Sequence, residues 1–405
     1  MAAGTTGVID HPPTPARRSW RFLLLVALAN AGGVIAWLPV LTLLLPMQVE
    51  RIAGPERLAV FSATVIVGAL AASGANILFG WLSDRALARG TGRRTFAVGG
   101  LAAVALGCAG IAVAGSAQTL VLGVAAFQVG VNALLAPLLA IAADEVPDSQ
   151  KGLAGGLLAL GHPIASALSA ALLTGGLGPA VRFALVPVAC AVCVVPLLTT
   201  VARAAPEAVP AARFRQRRRD LALAWSARLL VQVAGNVLSL FLLYYFESVA
   251  PEVSPETLAS RIGRLLLLAT LLPLPLAVLA GRLSDRTNAR KPLLLVAAAV
   301  AVLGLAGMAG ASGWTGGAIA FGIYATGSSV FLALHAGFSM QLLPSARHRG
   351  RDLGLLNLAN TLPALAGPLL AWSLATPHDF TALMLALAAL TAAGGLVILA
   401  AQGRQ

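Results

Sequence analysis

The sequence predicts an all-α polytopic membrane protein whose twelve transmembrane helices form two parallel six-helix repeats. Three observations predict it: a composition too apolar for water, twelve runs long enough to cross a bilayer, and a pair of motifs that recurs in each half. Of the 405 residues, 58% are hydrophobic and 11% charged, and the mean hydropathy is +0.87. A soluble domain carries about 25% charged residues, so water is not the solvent for most of this chain. The same apolar fraction excludes a disordered chain.

A membrane span needs about 20 mainly apolar residues. Runs of that kind occupy 20–46, 57–82, 95–116, 117–143, 152–174, 182–202, 221–246, 261–283, 292–312, 315–342, 353–375 and 380–401. The first run is too long for a secretion signal and lacks a small-residue cleavage site, so it reads as a retained span. The predicted organisation is a disordered N-terminus over 1–19, a six-helix bundle over 20–202, a basic linker over 203–220, a second bundle over 221–401 and a tail over 402–405.

The charges set the orientation. With the N-terminus placed in the cytoplasm, 22 of the 28 Lys and Arg residues fall on the cytoplasmic side and 5 on the other, leaving Arg228 inside span 7. That asymmetry satisfies the positive-inside rule. It predicts a multi-pass protein of the cytoplasmic (cell) membrane with both termini inside. The net charge of +13 is then topological, and a nucleic-acid partner is not expected. The basic cluster Arg213–Arg219 reads first as a topogenic linker, and second as a contact for anionic membrane lipids.

Enzymatic readings find no support. Cys108, Cys190 and Cys193 lie in apolar runs, and the C-x2-C of the last two has no further ligand near it, so packing is the expected role. No metal and no cofactor is expected. There is no phosphate-binding Walker loop, which excludes ATP-driven transport by this chain, and no nucleophile motif.

The halves repeat. Gly80-Trp81-Leu82-Ser83-Asp84-Arg85 follows span 2, and Gly281-Arg282-Leu283-Ser284-Asp285-Arg286 follows span 8, 201 residues later. A second pair opens spans 5 and 11: the segments 147–163 and 344–363 align with Gly152 on Gly350, an offset of 198. Two motifs at nearly one offset indicate duplication. With six spans per half, the repeats run parallel.

Parallel six-span halves resemble the major facilitator transporters. The first motif resembles that superfamily's loop 2–3 signature at Gly80, Leu82, Asp84, Arg85, Gly92, Arg93 and Arg94, with Gly281, Asp285 and Arg286 as its second copy. The resemblance implies that the glycine permits close helix approach. It also implies that the aspartate pairs with arginine and faces a helix N-terminus of the other half, as a gate. A carboxylate is favourable there. The spacing from Asp84 to Gly92-Arg93-Arg94 is similar to that of the sucrose-transporter and glycoside–pentoside–hexuronide branch. The run Pro137-Leu138-Leu139-Ala140-Ile141-Ala142-Ala143-Asp144 resembles the end of helix 4 in plant sucrose transporters, with Leu139 where they carry an arginine.

Polar side chains inside spans mark candidate sites. Spans 3, 6, 9 and 12 have none of Asn, Gln, His or ionisable type in their interiors. The others supply the predicted substrate-binding set: Asn30, Gln128, Asn132, His162, Arg228, Gln232, Asn236, Tyr324, His335, Asn357 and Asn360. Asn76 is a further polar interior residue, and span 8 has only Thr270. Arg228, Gln232 and Asn236 are spaced four apart and share one helical stripe. An arginine snorkelling toward the interface is the alternative reading of Arg228. No Asp or Glu lies in the middle of a span, so proton coupling would fall to Asp144, His162 or His335.

The expected function is a secondary transporter, acting as a monomer, that moves a small polar, uncharged, sugar-like solute by alternating access, with protons as a candidate coupling ion. An efflux pump for amphipathic compounds is the first alternative; Gly161-His162-Pro163-Ile164-Ala165-Ser166 has the proline but not the glycines of that group's helix 5 motif. A non-transporting assembly factor or sensor with the same fold is the second.

Overall fold

The computed structural model describes residues 17–174, 176–202, 214–343, 348–376 and 378–402. Most of the predicted N-terminal segment and linker, and all but Gln402 of the tail, fall outside the described residues.

The first half begins with α1 (Trp20–Pro39), which passes through a π-helical turn, Val40–Leu44, into α2 (Leu45–Ala53). It continues as α3 (Arg57–Ala88), α4 (Gly92–Ala112), α5 (Ala117–Glu145), α6 (Lys151–Leu158), α7 (Gly161–Thr174) and α8 (Pro179–Leu198). The second half has α9 (Phe214–Val249), α10 (Pro255–Leu271), α11 (Pro273–Thr287), α12 (Arg290–Ala309), α13 (Trp314–Leu342), α14 (Arg349–Thr361), α15 (Pro363–Leu374) and α16 (Thr381–Ala400). Together, α1–α2, α6–α7, α10–α11 and α14–α15 each make one interrupted span, giving twelve. Among the described residues, eleven stretches are long and apolar enough to cross a membrane. The remaining span, α14–α15, has a polar first half. The described residues contain no strand beyond the single bridge Thr376–Asp379.

Local chemistry accounts for the ends and the breaks. Ser19 caps α1 by accepting from the Phe22 N–H at 3.3 Å, and Ser116 and Thr119 form a reciprocal capping box on α5. Pro273 and Pro363 open α11 and α15, and Pro163 lies in the first turn of α7. A proline ring clashes with the preceding turn and donates no hydrogen bond, so each of these spans is interrupted there.

Several helices run past the apolar stretches that predicted them. The run 57–82 becomes Arg57–Ala88, 221–246 becomes Phe214–Val249, and 261–283 becomes 255–287. The Gly80–Arg85 and Gly281–Arg286 motifs therefore sit on the last turns of α3 and α11, not in loops. The backbone keeps its i→i−4 bonding beyond the apolar boundary, so hydropathy underestimates helix length.

Each half has its own apolar interior. One core links α1, α3, α4, α5 and α8 through residues such as Leu23, Val104, Phe127 and Val186. Two others fill the second half, around Tyr245, Phe246 and Leu387 and around Ala227, Phe331 and Ile398. Large apolar side chains also point outward, among them Leu106, Val192, Leu303 and Trp372, as a lipid-facing surface requires.

The halves meet along α3–α14, α5–α14, α6–α11 and α6–α13. All of this packing lies toward the end of the bundle that carries Arg17 and Gln402, termed the terminal face below. The outer segments α7, α10 and α15 pack mainly within their own halves. Helices α4, α8, α12 and α16, which carry spans 3, 6, 9 and 12, take no part in the extensive cross-half packing.

Candidate functional site

Two layers of polar residues lie between the halves: a seam at the terminal face and a cluster deeper in the bundle.

At the seam, Gly80 of α3 lies against Gly350 of α14, so closely that a Cβ on either glycine would overlap the other's carbonyl oxygen. Gly281 of α11 and Gly152 of α6 make the same reciprocal contact. Close approach brings each motif carboxylate onto a helix start. Asp84 Oδ1 accepts from the Gly350 N–H at 2.9 Å and Oδ2 from the Arg351 N–H at 3.0 Å. Asp285 Oδ1 and Oδ2 accept from the Gly152 and Leu153 N–H groups at 2.9 and 2.8 Å.

Sequence explains why these carboxylates are needed. The first N–H groups of a helix have no partner within it, and a local side chain normally caps them. Neither Gln150 before α6 nor His348 before α14 makes a capping bond. Each half thus caps a helix of the other, with the favourable sign for the helix dipole.

The two caps differ in their surroundings. Arg93 contacts Asp84 at 2.8 Å and Asp144 at 2.7 Å, and Arg349 from the second half holds the other Asp144 oxygen at 2.7 Å. Arg94 pairs with Glu145 at 2.5 Å, which Arg18 also meets. At the other cap, Arg290 reaches Asp285 at 3.3 Å, donates to the Asp148 carbonyl oxygen at 2.6 Å and bonds Gln341. Arg85 stacks on Trp81 with its guanidinium 3.8 Å from the ring centroid, and Arg286 is exposed. Gly92 opens α4 with φ +76°, a conformation glycine adopts without strain.

The deeper cluster centres on α9. Arg228 Nε donates to Asn360 Oδ1 at 2.8 Å, and Gln232 Nε2 donates to the same oxygen at 3.0 Å. Asn360 Nδ2 donates to Asn357 Oδ1 at 2.7 Å. Asn236, two turns along the stripe from Arg228, has a buried Oδ1 with no hydrogen-bond partner. His162 of α7 packs edge-on against Trp37 at 5.7 Å between centroids and lies within electrostatic reach of Arg228. Ser73 of α3 meets Thr361 of α14 at 3.5 Å.

The remaining residues of the predicted set bond outside this cluster. Asn132 is buried, accepts from Asn76 at 2.6 Å and donates to the Gln128 carbonyl oxygen at 2.8 Å. Asn30 donates to the Leu158 carbonyl oxygen at 2.9 Å. Gln128 flanks Gly68. Tyr324 is buried, its hydroxyl beside Gly235. His335 is 0% exposed; its Nε2 meets the Ala224 carbonyl oxygen at 2.8 Å and its Nδ1 the Ser339 hydroxyl at 3.1 Å. These bonds place His335 in an α9–α13 contact one turn from Arg228, and its ion pairs with Arg93 and Arg349 place Asp144 in the seam. Among the described residues, no group of three or more His, Cys, Asp or Glu could hold a metal ion.

The seam also uses residues that sequence reasoning passed over. Gly155 lies against the Ala333 carbonyl, Gly156 against that of Ala277, and Gly337 against that of Lys151. Lys151 Nζ donates to the Met340 carbonyl oxygen at 3.1 Å. The spacing of Gly152, Gly155 and Gly156 on one face of α6 was the available signal.

Comparison with known proteins follows the same lines. No curated protein sequence matches the chain. Residues 58–253 match the family profile of the Major Facilitator Superfamily. Among solved structures, the chain is similar to the E. coli fucose:proton symporter FucP, with TM-score 0.71 and 15% identity over 95% of this chain and 99% of that one. It is similar to the proton:xylose symporter XylE, with TM-score 0.70 and 12% identity over 93% and 94% of the chains. It is also similar to a bacterial homologue of the iron transporter ferroportin, with TM-score 0.72 and 16% identity over 95% and 99%. The profile match over 58–253 and the shared fold make this chain similar to the major facilitator superfamily.

Proposed function

We propose that the protein is a secondary transporter that moves a small polar solute by alternating access, through a cavity between the halves lined by α9 and α14. The observation that carries this reading is the one-sided seam. Cross-half packing and both reciprocal helix caps lie at the terminal face, while the outer segments stay apart, an arrangement expected of one end-state of a rocking pair of bundles. The FucP and ferroportin-homologue structures it resembles are described as outward-facing, which agrees with a sealed inner side. The charge asymmetry supports placing that face in the cytoplasm of a cell membrane.

In this reading Asp84 and Asp285 hold the gate, and Arg228, Gln232, Asn236, Asn357, Asn360 and His162 face the solute. The amide and imidazole lining suits a hydroxyl-rich ligand, in keeping with the expected sugar-like solute and with the sugars named for FucP and XylE. His162 is the proton-coupling candidate, because the ring nitrogens of His335 and the oxygens of Asp144 are already engaged. Uptake into liposomes containing the purified protein, with a panel of polyols, sugars and sugar acids and with or without a pH gradient, tests the reading. Saturable, counterflow-competent flux in the wild type that Asp84→Asn lowers supports it, and flux equal to protein-free liposomes across the panel overturns it.

A further inference from the structure

The deeper cluster contains a cation without a counter-ion. Wherever else the described bundle holds a shielded arginine at the seam, a carboxylate answers it: Arg93 has Asp84 and Asp144, Arg94 and Arg18 share Glu145, Arg349 has Asp144 and Arg290 has Asp285. Arg228 has none. It stands ten residues into the apolar stretch Arg218–Val249, ~15 Å along the helix. Its acceptor is the neutral amide oxygen of Asn360.

Among the described residues, no carboxylate forms an ion pair with it. The nearest along its own helix is Asp220, eight residues or ~12 Å away, which accepts from the Gln402 N–H. On α14 the nearest to Asn360 is Asp352, also eight residues away, which pairs with Arg351. His162 and His335, the titratable groups within its reach, carry no negative charge in any state. A cation withdrawn from water is costly unless it is paired.

The orientation of the guanidinium is fixed while its outer end stays free. Asn357 accepts from Asn360 Nδ2, which turns Asn360 Oδ1 toward Arg228 Nε and Gln232. Among the described residues, neither terminal nitrogen of Arg228 has a protein acceptor, and neither is buried. Two parallel N–H donors left open in this way match the two oxygens of a carboxylate. Two turns farther along the same stripe, Asn236 presents its unpartnered Oδ1, an acceptor suited to a hydroxyl.

We infer that the solute is a small hydroxylated monocarboxylate, whose single negative charge is supplied to Arg228 by the substrate itself. This rests on the transporter reading above and replaces an uncharged solute with an anionic one of similar polarity.

The test is binding to the detergent-purified full chain, read as thermal stabilisation, with sodium gluconate against glucose and sorbitol at matched ionic strength. Gluconate and lactate should stabilise the wild type saturably, and the neutral pair should not. Arg228→Gln should abolish the response, and Arg228→Lys, which has no planar fork, should weaken it about tenfold. Asn360→Asp is the discriminating variant: it puts a carboxylate beside Arg228, so the fold should be kept or stabilised while anion binding is lost. Gluconate binding retained in Asn360→Asp, no anion response in the wild type, or stabilisation by glucose equal to gluconate would each overturn the inference. Saturable flux of a neutral sugar, unaffected by Arg228→Gln, would also overturn it while leaving the transporter reading intact. Anion binding without flux in liposomes would uphold the site and remove the transporter reading.

Discussion

Replacing Asp84 with Asn removes one charge and almost no volume, so its effect can be worked from the contacts. The carboxylate accepts from two backbone N–H groups of α14 and pairs with Arg93. An amide keeps one accepting oxygen and turns an NH2 toward the other N–H. Arg93 then retains Asp144 as its sole carboxylate. A hydrogen bond to a charged group contributes roughly 1.5–3 kcal/mol, so losing one, with the pair weakened, raises the closed terminal face by about 2 kcal/mol. When the halves part, Asp84 and the helix start are both hydrated, so the open state shifts little. The closed:open ratio should fall by about thirtyfold. Spin labels at Arg51→Cys and Glu252→Cys, in a background lacking Cys108, Cys190 and Cys193, report this as a shorter distance across the opposite face. Asp285→Asn should act in the same direction, and the double variant should act nearly additively. A distance distribution and turnover unchanged in Asp84→Asn would refute the reasoning.

Three further outcomes are expected. Gly80→Ala should open the same face more severely than Asp84→Asn, because the new methyl overlaps the Gly350 carbonyl, and protection of the seam from cysteine-directed labels measures it. A reporter fused after Gln405 should read cytoplasmic and one inserted near Val253 external, the reverse result overturning the assigned orientation. His335→Ala should lower stability by about 1–3 kcal/mol, through the loss of its buried bonds to the Ala224 carbonyl and the Ser339 hydroxyl, with substrate affinity unchanged; a selective loss of proton-coupled uptake would contradict the structural role given to it.

The spans were legible because the bilayer imposes a length and a polarity that few other structures need, and the repeat because Gly80–Arg85 and Gly281–Arg286 recur in register. The stripe of Arg228, Gln232 and Asn236 was legible because polar residues four apart on an apolar helix share a face. The partners were not. Nothing local to Asn132 points to Asn76, or to Asp144 points to Arg349, since those pairs lie across helices 56 and 205 residues apart. Nor could the sequence separate His335, sealed between α9 and α13, from His162 beside Trp37. A helix apolar on every side carries no directional signal about which face meets lipid, protein or solute. The helix ends also escaped, because backbone bonding carried α3, α9 and α11 into polar residues.

The crossed caps at Asp84 and Asp285 also bear on how the chain matures. Helices α6 and α14 begin with N–H groups that their own halves leave unsatisfied, so neither half completes its inner helix ends alone. Assembly of the second bundle onto the first is then a folding step as well as a docking step. Chains severed within 203–213 should yield fragments that resist proteolysis at Lys151 and Arg349 when co-expressed and are cut there when made singly.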